Sequence, residues 1–322
     1  MPTEVLDRYG DAGSVAEMGR RDDCGLILGD MDALHRLELY TKLVMERLAR
    51  KCGEVRELFG KSDGDWSQTL YAMVCRAMGG NKNKEQFLAL ADKVRYHMCL
   101  RERTSLMAVE AMLLGTSGLL SGEYYDDYLL KLNSEYEYLK NKYRIDAAMS
   151  PVEWDTWRVS PVNSPILRIA QLAALVANDE FRFDAVMECR SRADAQRLFV
   201  AEASQYWTTH YRLSASSTAA PKRLGEAKID IIGINVVVPV MFAYAEYIKD
   251  EEMKSRALDL LDDIPAENNV IIRRWTGCGV PVRSAFDTQA LLQLNNEFCQ
   301  KNRCEECILG KKLAIGACSA LK

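Results

Sequence analysis

Three cysteines near the end of the printed sequence are the residues best suited to chemistry, and they follow the spacing Cys299-x4-Cys304-x2-Cys307. Thiolate sulfur binds zinc and iron well, so these thiols can share a zinc ion or an iron–sulfur cluster if the chain turns between them. A closed site takes four ligands. We therefore predict a metal site of Cys299, Cys304, Cys307 and Cys318, with Cys278 as the alternative fourth ligand.

The same cysteines have two other interpretations. The chain has ten cysteines scattered through helical patterns without a secretory sequence, which is typical of reduced thiols that pack as small apolar groups. Cys304 and Cys307 also form a C-x2-C pair, but a thioredoxin-like pair needs a strand before it and a helix beginning at it. The preceding segment is predicted to be helical, so free thiols are the stronger alternative to a metal site.

A second group joins tryptophan to arginine in the segment WDTWRVSPVNSPILRIAQ, residues 154–171. Its candidate binding residues are Trp157, Arg158, Asn163 and Arg168. Arginine beside tryptophan can hold an anion or stack on a base, and the turn before the next helix can direct backbone N–H groups at an anion. The alternative is a rigid corner in which tryptophan packs beneath the arginine stems.

Two more arginines, Arg273 and Arg274, stand next to Trp275. We include both among the candidate binding residues because, with Lys222 and Arg223, they could form one basic face. An ordinary solvated surface is the alternative.

No recognisable catalytic motif accompanies these groups. The sequence has no P-loop, no G-x-G-x-x-G, no H-E-x-x-H and no G-x-S-x-G. His35 and His97 lie on predicted helices, and His210 lies beside Trp207 and Tyr211, which favours packing roles. The sequence therefore assigns no catalytic residue, and we favour a protein that is not an enzyme.

Composition bounds the class of protein. The 322 residues are 48% hydrophobic and 27% charged, which is typical of a globular chain with a sizeable core. The formal net charge of −4 disfavours wholesale binding to polyanions but allows one local basic surface. The first residues contain no apolar signal-peptide core, so we predict a cytoplasmic protein.

One segment, residues 231–248, is long and apolar enough to span a bilayer. It contains Asn235, Pro239 and Glu246, charged residues flank it, and no other segment looks membranous. We predict a buried central helix and no membrane partner, although the valines at 236–238 leave a strand open.

The hydrophobic pattern predicts an all-α fold, a multi-helix globular bundle with short loops. A first helix is expected from Asp30 to Gly53. Further helices are expected over 64–79, 83–94, 104–114, 123–143, 166–178, 182–200, 223–248, 251–262, 267–275 and 284–300. We divide the chain into a loose arm (1–29), an N-terminal helical subdomain (30–150) and a C-terminal helical subdomain that ends in the cysteine cluster (151–322), packed as one continuous unit.

Several collinear stretches resemble a bacterial family called domain of unknown function 2851. They include DWSQTLYAMVCRAMGGNKN (65–83), WRVSPVNSPILRIAQLAAL (157–175), IPAENN (264–269) and DTQALLQLNNEFCQKNRCEECILG (287–310). The resemblance covers the chain from Leu34 onward, and the last stretch is its most specific part. It implies an uncharacterised helical region whose longer relatives begin with a β-rich part that looks like a restriction-endonuclease-type core.

The resemblance also bears on the candidate residues. The family's cysteine pattern matches the three clustered cysteines, and its arginine–proline turn matches the segment around Arg158 and Arg168. Ser160 and Ser164 stand where the family has arginine and phenylalanine. That departure argues against a turn tuned to one specific ligand.

Three functions follow from these observations. The first is a binding or scaffold module that engages nucleic acid or a protein partner through its arginine-bearing faces. The second is an enzyme in which the cysteines hold zinc or an iron–sulfur centre, and the third is a structural protein with buried free thiols. We favour the first, because basic and aromatic residues occur together while no general acid or base is visible.

Overall fold

Helices make up nearly all of the regular structure, which confirms the predicted all-α fold. The computed structural model describes residues 15–120 and 126–311, with side chains from residue 23 onward. In chain order the helices are α1 (Val15–Asp30), α2 (Ala33–Lys61), α3 (Trp66–Gly79), α4 (Lys84–Lys93), α5 (Tyr96–Glu102), α6 (Leu106–Thr116), α7 (Asp127–Tyr143), α8 (Pro165–Ala177), α9 (Phe183–Met187), α10 (Arg192–Leu198), α11 (Glu226–Ile232), α12 (Val238–Ile248), α13 (Glu251–Asp263), α14 (Val270–Gly277) and α15 (Ala285–Leu294).

Shorter elements connect these helices. Short 3-10 helices occupy Pro151–Glu153, Pro161–Asn163 and Gln205–Thr209, and π-helical turns occupy Gly233–Val237 and Asn295–Cys299. Within the described ranges the only paired strands form a small antiparallel hairpin. Its strands are β1 (His210–Arg212) and β2 (Ala215–Ser216), with His210 opposite Ser216 and Arg212 opposite Ala215.

The chain divides into two structural units. The first unit contains the described parts of Met1–Arg50 and Pro265–Lys322, and the second contains those of Lys51–Ile264. Residue 150 lies inside the second unit.

The core of the second unit is built around α6 and α8. Every residue of α6 from Ala108 onward is buried, and α8 buries ten of its thirteen residues. Helix α6 packs on both α7 and α8, while α3 packs on α4. A helix that is apolar on all sides has to be surrounded by others, which is why the apolar runs in the sequence become the central helices.

Polar caps explain where several helices begin. The carboxylate of Asp65 accepts hydrogen bonds from the backbone N–H groups of Ser67 (2.8 Å) and Gln68 (3.1 Å) at the start of α3. Asp126 accepts from the N–H of Tyr128 (2.8 Å) at the start of α7. These side chains satisfy N–H groups that have no partner within their own helix.

The apolar segment predicted as a central helix is helical throughout. Among the described residues it is the one helix, Glu226–Ile248, with the length and apolar composition that a membrane span needs, and 67% of its apolar window is buried in the protein. Pro239 cannot donate to the carbonyl of Asn235, and the helix widens to a π-turn at Gly233–Val237 just before it. The alternative of a strand over 236–238 is therefore wrong.

Two local expectations differ from the structure. Helix α2 continues through Gly53 to Lys61, because this glycine is exposed and an interior helical glycine costs only about 1 kcal/mol. Residues 15–29, expected to be part of a loose arm, form most of α1. Leu28 is fully buried there, and the backbone of Gly25 lies directly against the side chain of Cys278.

Candidate functional site

The predicted turn before α8 is held by proline and by a capping serine. Pro161 begins the short helix Pro161–Asn163, and Pro165 occupies the first turn of α8. The hydroxyl of Ser164 accepts a hydrogen bond from the N–H of Leu167 (3.4 Å). Proline fixes φ and suits the first helical position, so the sequence dictates this sharp entry into α8.

Arg168 lies inside this turn with neutral partners. Its side chain is only 9% exposed. The guanidinium donates hydrogen bonds to Oδ1 of Asn163 (2.5 Å) and to Oε1 of Gln171 (2.8 Å). Burial lowers the pKa of Arg168. No salt bridge in the described residues links this guanidinium to a carboxylate, although a buried charge is costly without one.

A second cation approaches the same place from α11. Lys228 is half-buried, and its Nζ donates to the carbonyl of Ala77 (2.5 Å) at the end of α3. Burial, and then the positive charge of Arg168, lower the pKa of Lys228 to about 8. The charge of Arg168 therefore acts on Lys228, and the hydrogen-bond acceptors of both cations among the described residues are uncharged.

Trp157 and Arg158 lie on the surface of the same corner. Trp157 is 70% exposed, and the guanidinium carbon of Arg158 lies 5.7 Å from the centre of its ring. Arg158 has φ of 51°, a left-handed conformation that side-chain-bearing residues seldom adopt. We call Trp157, Arg158, Asn163, Arg168 and Lys228 the basic corner.

The turn between α3 and α4 anchors the basic corner. The backbone N–H of Asp155 donates to Asn83 (2.8 Å), and the amide of Asn83 donates to the carbonyl of Asp155 (2.9 Å). Lys82 pairs with the carboxylate of Asp155 (3.3 Å) and donates to the carbonyl of Trp157 (2.5 Å). Lys228 donates to the carbonyl of Ala77 in α3. Residues 77–83 therefore contact both Lys228 and the segment that carries Trp157.

Arg273 and Arg274 belong to the other unit. They lie exposed on α14, and Arg273 donates to the side chain of Asn268 (3.0 Å). Trp275 is only 6% exposed, so it packs in the core and offers no stacking surface. The predicted role of these arginines in binding stays a prediction.

The cysteine cluster also lies in the first unit. Cys299 is half-buried, Cys304 is exposed and Cys307 is buried, while Cys318 lies outside the described residues. Across residues 15–120 and 126–311, no three His, Cys, Asp or Glu side chains are arranged to hold a metal ion. Cys304 and Cys307 are free thiols. The predicted metal site stays a prediction.

Sequence reasoning missed a buried carboxyl group in the second unit. Glu110, on α6, is fully buried, and its Oε1 accepts hydrogen bonds from Trp207 Nε1 (2.6 Å) and the hydroxyl of Tyr128 (2.9 Å). The Tyr128 hydroxyl also lies 2.8 Å from Oγ of Ser204. Tyr128 and Ser204 line a groove with a volume of about 590 Å³. Only a polar residue inside the apolar run of α6 signalled this site in the sequence.

The pKa of Glu110 gives a stability prediction. Burial raises this pKa above the ordinary 4.5, against the effect of the donors from Trp207, Tyr128 and Ser204. The folded protein then binds more protons than the unfolded chain, so stability falls as pH rises from 4.5 through the folded pKa. Glu110→Gln cannot titrate. We expect the wild type to lose stability relative to this variant between pH 5 and pH 8, measured by urea unfolding.

His210 serves as a reference for this prediction. Its ring stacks on Tyr206 with centroids 4.0 Å apart, and its Nδ1 lies 2.8 Å from the carbonyl oxygen of Tyr206. This arrangement is consistent with the packing role inferred from the sequence. His210→Gln is the control variant, because it replaces this stacked ring and leaves Glu110 in place. Parallel pH curves for the wild type and Glu110→Gln would contradict the prediction.

Comparison with known proteins identifies the family. No curated protein and no solved structure matches the chain. A family model described as "Protein of unknown function (DUF2851)" matches residues 5–270. The matched region includes the basic corner, begins before Leu34 and ends before the cysteine stretch 287–310. The chain therefore belongs to the DUF2851 family.

Proposed function

We propose that the unit Lys51–Ile264 binds single-stranded nucleic acid through the basic corner. The observation that carries the proposal is the approach of two cations, the buried Arg168 and the half-buried Lys228, whose hydrogen-bond acceptors among the described residues are all uncharged. A phosphate group beside them would offset both charges. A planar guanidinium and an ammonium together suit a phosphodiester.

Trp157 supports a single strand as the ligand. An indole that is 70% exposed offers an apolar face on which an unstacked base can lie. The adjacent Arg158 adds a cation at the ring. Bases in a duplex are already stacked on each other, so this kind of contact favours single strands.

The charge of the chain limits how the ligand is held. With a net charge of −4, the protein does not attract polyanions over its whole surface. Asp155, which lies two residues before Trp157, is paired with Lys82. Binding would therefore depend on a few contacts at the basic corner, and its salt dependence would be modest.

A purely structural role is the competing explanation. Gln171 donates to the carbonyls of Lys222 (3.3 Å) and Arg223 (3.1 Å), so Arg168 and Gln171 together tie the turn to a neighbouring segment. The ammonium group of Lys228, a residue of α11, lies at the C-terminal end of α3, where the helix dipole favours a positive charge. These contacts would stabilise the fold without any ligand, and a binding experiment separates the two explanations.

The experiment is a fluorescence anisotropy titration of a labelled oligothymidine of about 12 nucleotides, a length within the usual site size of single-strand binders. We expect binding at low salt that weakens as salt is added, with a duplex of the same length binding less tightly. No anisotropy change with either probe at low salt would overturn the proposal.

Lys228 gives the proposal a pH dependence. With a pKa of about 8, and with Arg168 and the carbonyl of Ala77 as the groups that face it, this lysine loses its proton above pH 8. We expect the affinity for oligothymidine to fall as pH rises from 7 to 9. Lys228→Met should bind more weakly at pH 7 and lose this dependence. If the wild type and the variant keep the same pH profile, Lys228 does not contact the ligand.

A further inference from the structure

The groove lined by Tyr128 and Ser204 has the size and lining of a small-molecule site. Its volume of about 590 Å³ falls within the range of about 300–1,000 Å³ that is typical of such sites. Leu106 and Met107, at the start of α6, supply apolar lining, and Tyr206 adds a second aromatic side chain. None of the described residues that line the groove has a charged side chain. An anionic ligand would therefore find no cation in this lining.

The tyrosines of the groove belong to a stack of three parallel rings. The ring of Tyr206 lies 4.5 Å from that of Tyr128, with 7° between their planes, and 4.0 Å from that of His210, with 4° between their planes. Two parallel rings at these distances cannot share one face, so Tyr206 lies between the other two. The stack holds the ring of Tyr128, and with it the hydroxyl group, in one position before any ligand binds.

The hydroxyl groups of Tyr128 and Ser204 direct their protons away from the groove. Trp207 Nε1 can only donate, and Tyr128 gives its single proton to the same Oε1 atom of Glu110. The 2.8 Å hydrogen bond between Tyr128 and Ser204 is then donated by Ser204. Ser204 Oγ keeps its lone pairs but has no proton left to donate. It can therefore serve a ligand in the groove only as a hydrogen-bond acceptor.

Glu110 has no cation among its described partners. The groups that act on its carboxyl are Trp207, Tyr128 and Ser204, and all three are neutral donors. The second oxygen, Oε2, is buried and accepts no hydrogen bond from a described residue. A buried carboxylate normally requires a cation beside it. Successive hydrogen bonds polarise each other, so the negative charge of Glu110 strengthens Ser204 Oγ as an acceptor.

Two charged residues lie next to the lining. Asp126 adds a second carboxylate, which accepts a hydrogen bond from the backbone N–H of Tyr128 (2.8 Å). Lys222 donates to the carbonyls of Thr208 (3.1 Å) and Ala220 (2.9 Å), and its side chain is not part of the lining. The positive charge of this lysine is thus offset by backbone carbonyls, whereas that of a ligand would be offset by carboxylates.

We propose that this groove binds a small organic ammonium ion, namely a primary amine in its charged form that carries an apolar group. The ammonium donates a hydrogen bond to Ser204 Oγ, and its positive charge offsets the charge of Glu110 behind that serine. The tyrosine rings attract the same cation, while Leu106 and Met107 cover the apolar group. The site shares no residue with the basic corner, so it goes beyond the proposed binding of nucleic acid.

The test compares three probes of similar size and different charge, namely phenethylammonium, 2-phenylethanol and phenylacetate. Each is titrated into the full chain at pH 7.5, where a primary amine is charged, and binding is measured by isothermal titration calorimetry. We expect phenethylammonium to bind at least about 10-fold more tightly than 2-phenylethanol, because a charged donor makes the stronger hydrogen bond. Phenylacetate should bind least. The proposal is overturned if phenethylammonium does not bind, or binds no more tightly than either of the other probes.

Two variants assign the binding to this groove. Ser204→Ala removes the acceptor and Glu110→Gln removes the charge, so each should reduce the preference for phenethylammonium over 2-phenylethanol to less than about threefold. Ser204→Ala changes a half-buried residue and does not depend on how the core tolerates Glu110→Gln. Ser134→Ala, the same change on an exposed position of α7, should keep the wild-type preference. A preference that survives in Ser204→Ala and Glu110→Gln overturns the proposal.

Discussion

Replacing Arg168 by methionine should raise the dissociation constant for oligothymidine by about 10- to 100-fold, or roughly 1.4–2.8 kcal/mol. The substitution keeps the length of the side chain and removes the guanidinium that faces Lys228. The side-chain oxygens of Asn163 and Gln171 each lose one hydrogen-bond donor. The slope of log Kd against log salt should fall by about one, because one phosphate contact is lost.

Arg256→Met is the matched control for this variant. Arg256 is a half-buried arginine on α13 of the same unit, and its guanidinium donates only weakly, to the carbonyl of Met187 (3.4 Å). Arg256→Met lowers the net charge by the same one unit as Arg168→Met. We expect its affinity to stay within about twofold of the wild type. Equal losses in the two variants would show that overall charge, and not the basic corner, determines binding.

Gly118→Ala should lower the free energy of unfolding by about 2–5 kcal/mol. Gly118 has φ of 74°, a conformation that costs any other residue energy. A Cβ there would also lie 2.0 Å from the carbonyl oxygen of Met149, which belongs to the backbone and cannot turn aside. The turn also positions Trp154, whose Nε1 donates to the adjacent carbonyl of Ser117 (2.9 Å).

Gly53→Ala is the control, because it makes the same chemical change in an open place. A Cβ on Gly53 meets no atom within 4 Å, and the residue is exposed inside α2. This variant should be more stable than the wild type by about 0.5–1 kcal/mol, through helix propensity. Urea unfolding of both variants measures the difference. A Gly118→Ala protein as stable as Gly53→Ala would contradict the described turn.

Much of the fold could be predicted from local patterns. The apolar runs of α6 and α8 indicated buried helices, and Asp65 and Asp126 marked helix starts through caps that need only neighbouring residues. The end of α2 and the helical state of α1 were missed because tertiary packing decided them. Helix α2 continues past Gly53 because Cys52 and Val55, on either side of this glycine, are buried in the core. Burial of Leu28 supports α1 in the same way.

The candidate site was predictable to the extent that its residues are close in sequence. Asn163 and Arg168 share one turn and one hydrogen bond, so a local motif indicated them. Lys228 and Glu110 were not found, because each reaches its partners from a distant element. Like charges brought together by the fold leave no signature in a sequence pattern.

The central claim is that a nucleic-acid strand lies on the basic corner, and photocrosslinking tests it most directly. An oligothymidine carrying one 5-iodouracil is bound to the full chain, irradiated and digested with trypsin. We predict that the main crosslinked peptide is 145–158, which contains the exposed Trp157, and that Trp157→Ala removes the crosslink. Crosslinks that fall only outside residues 145–171 would contradict the account.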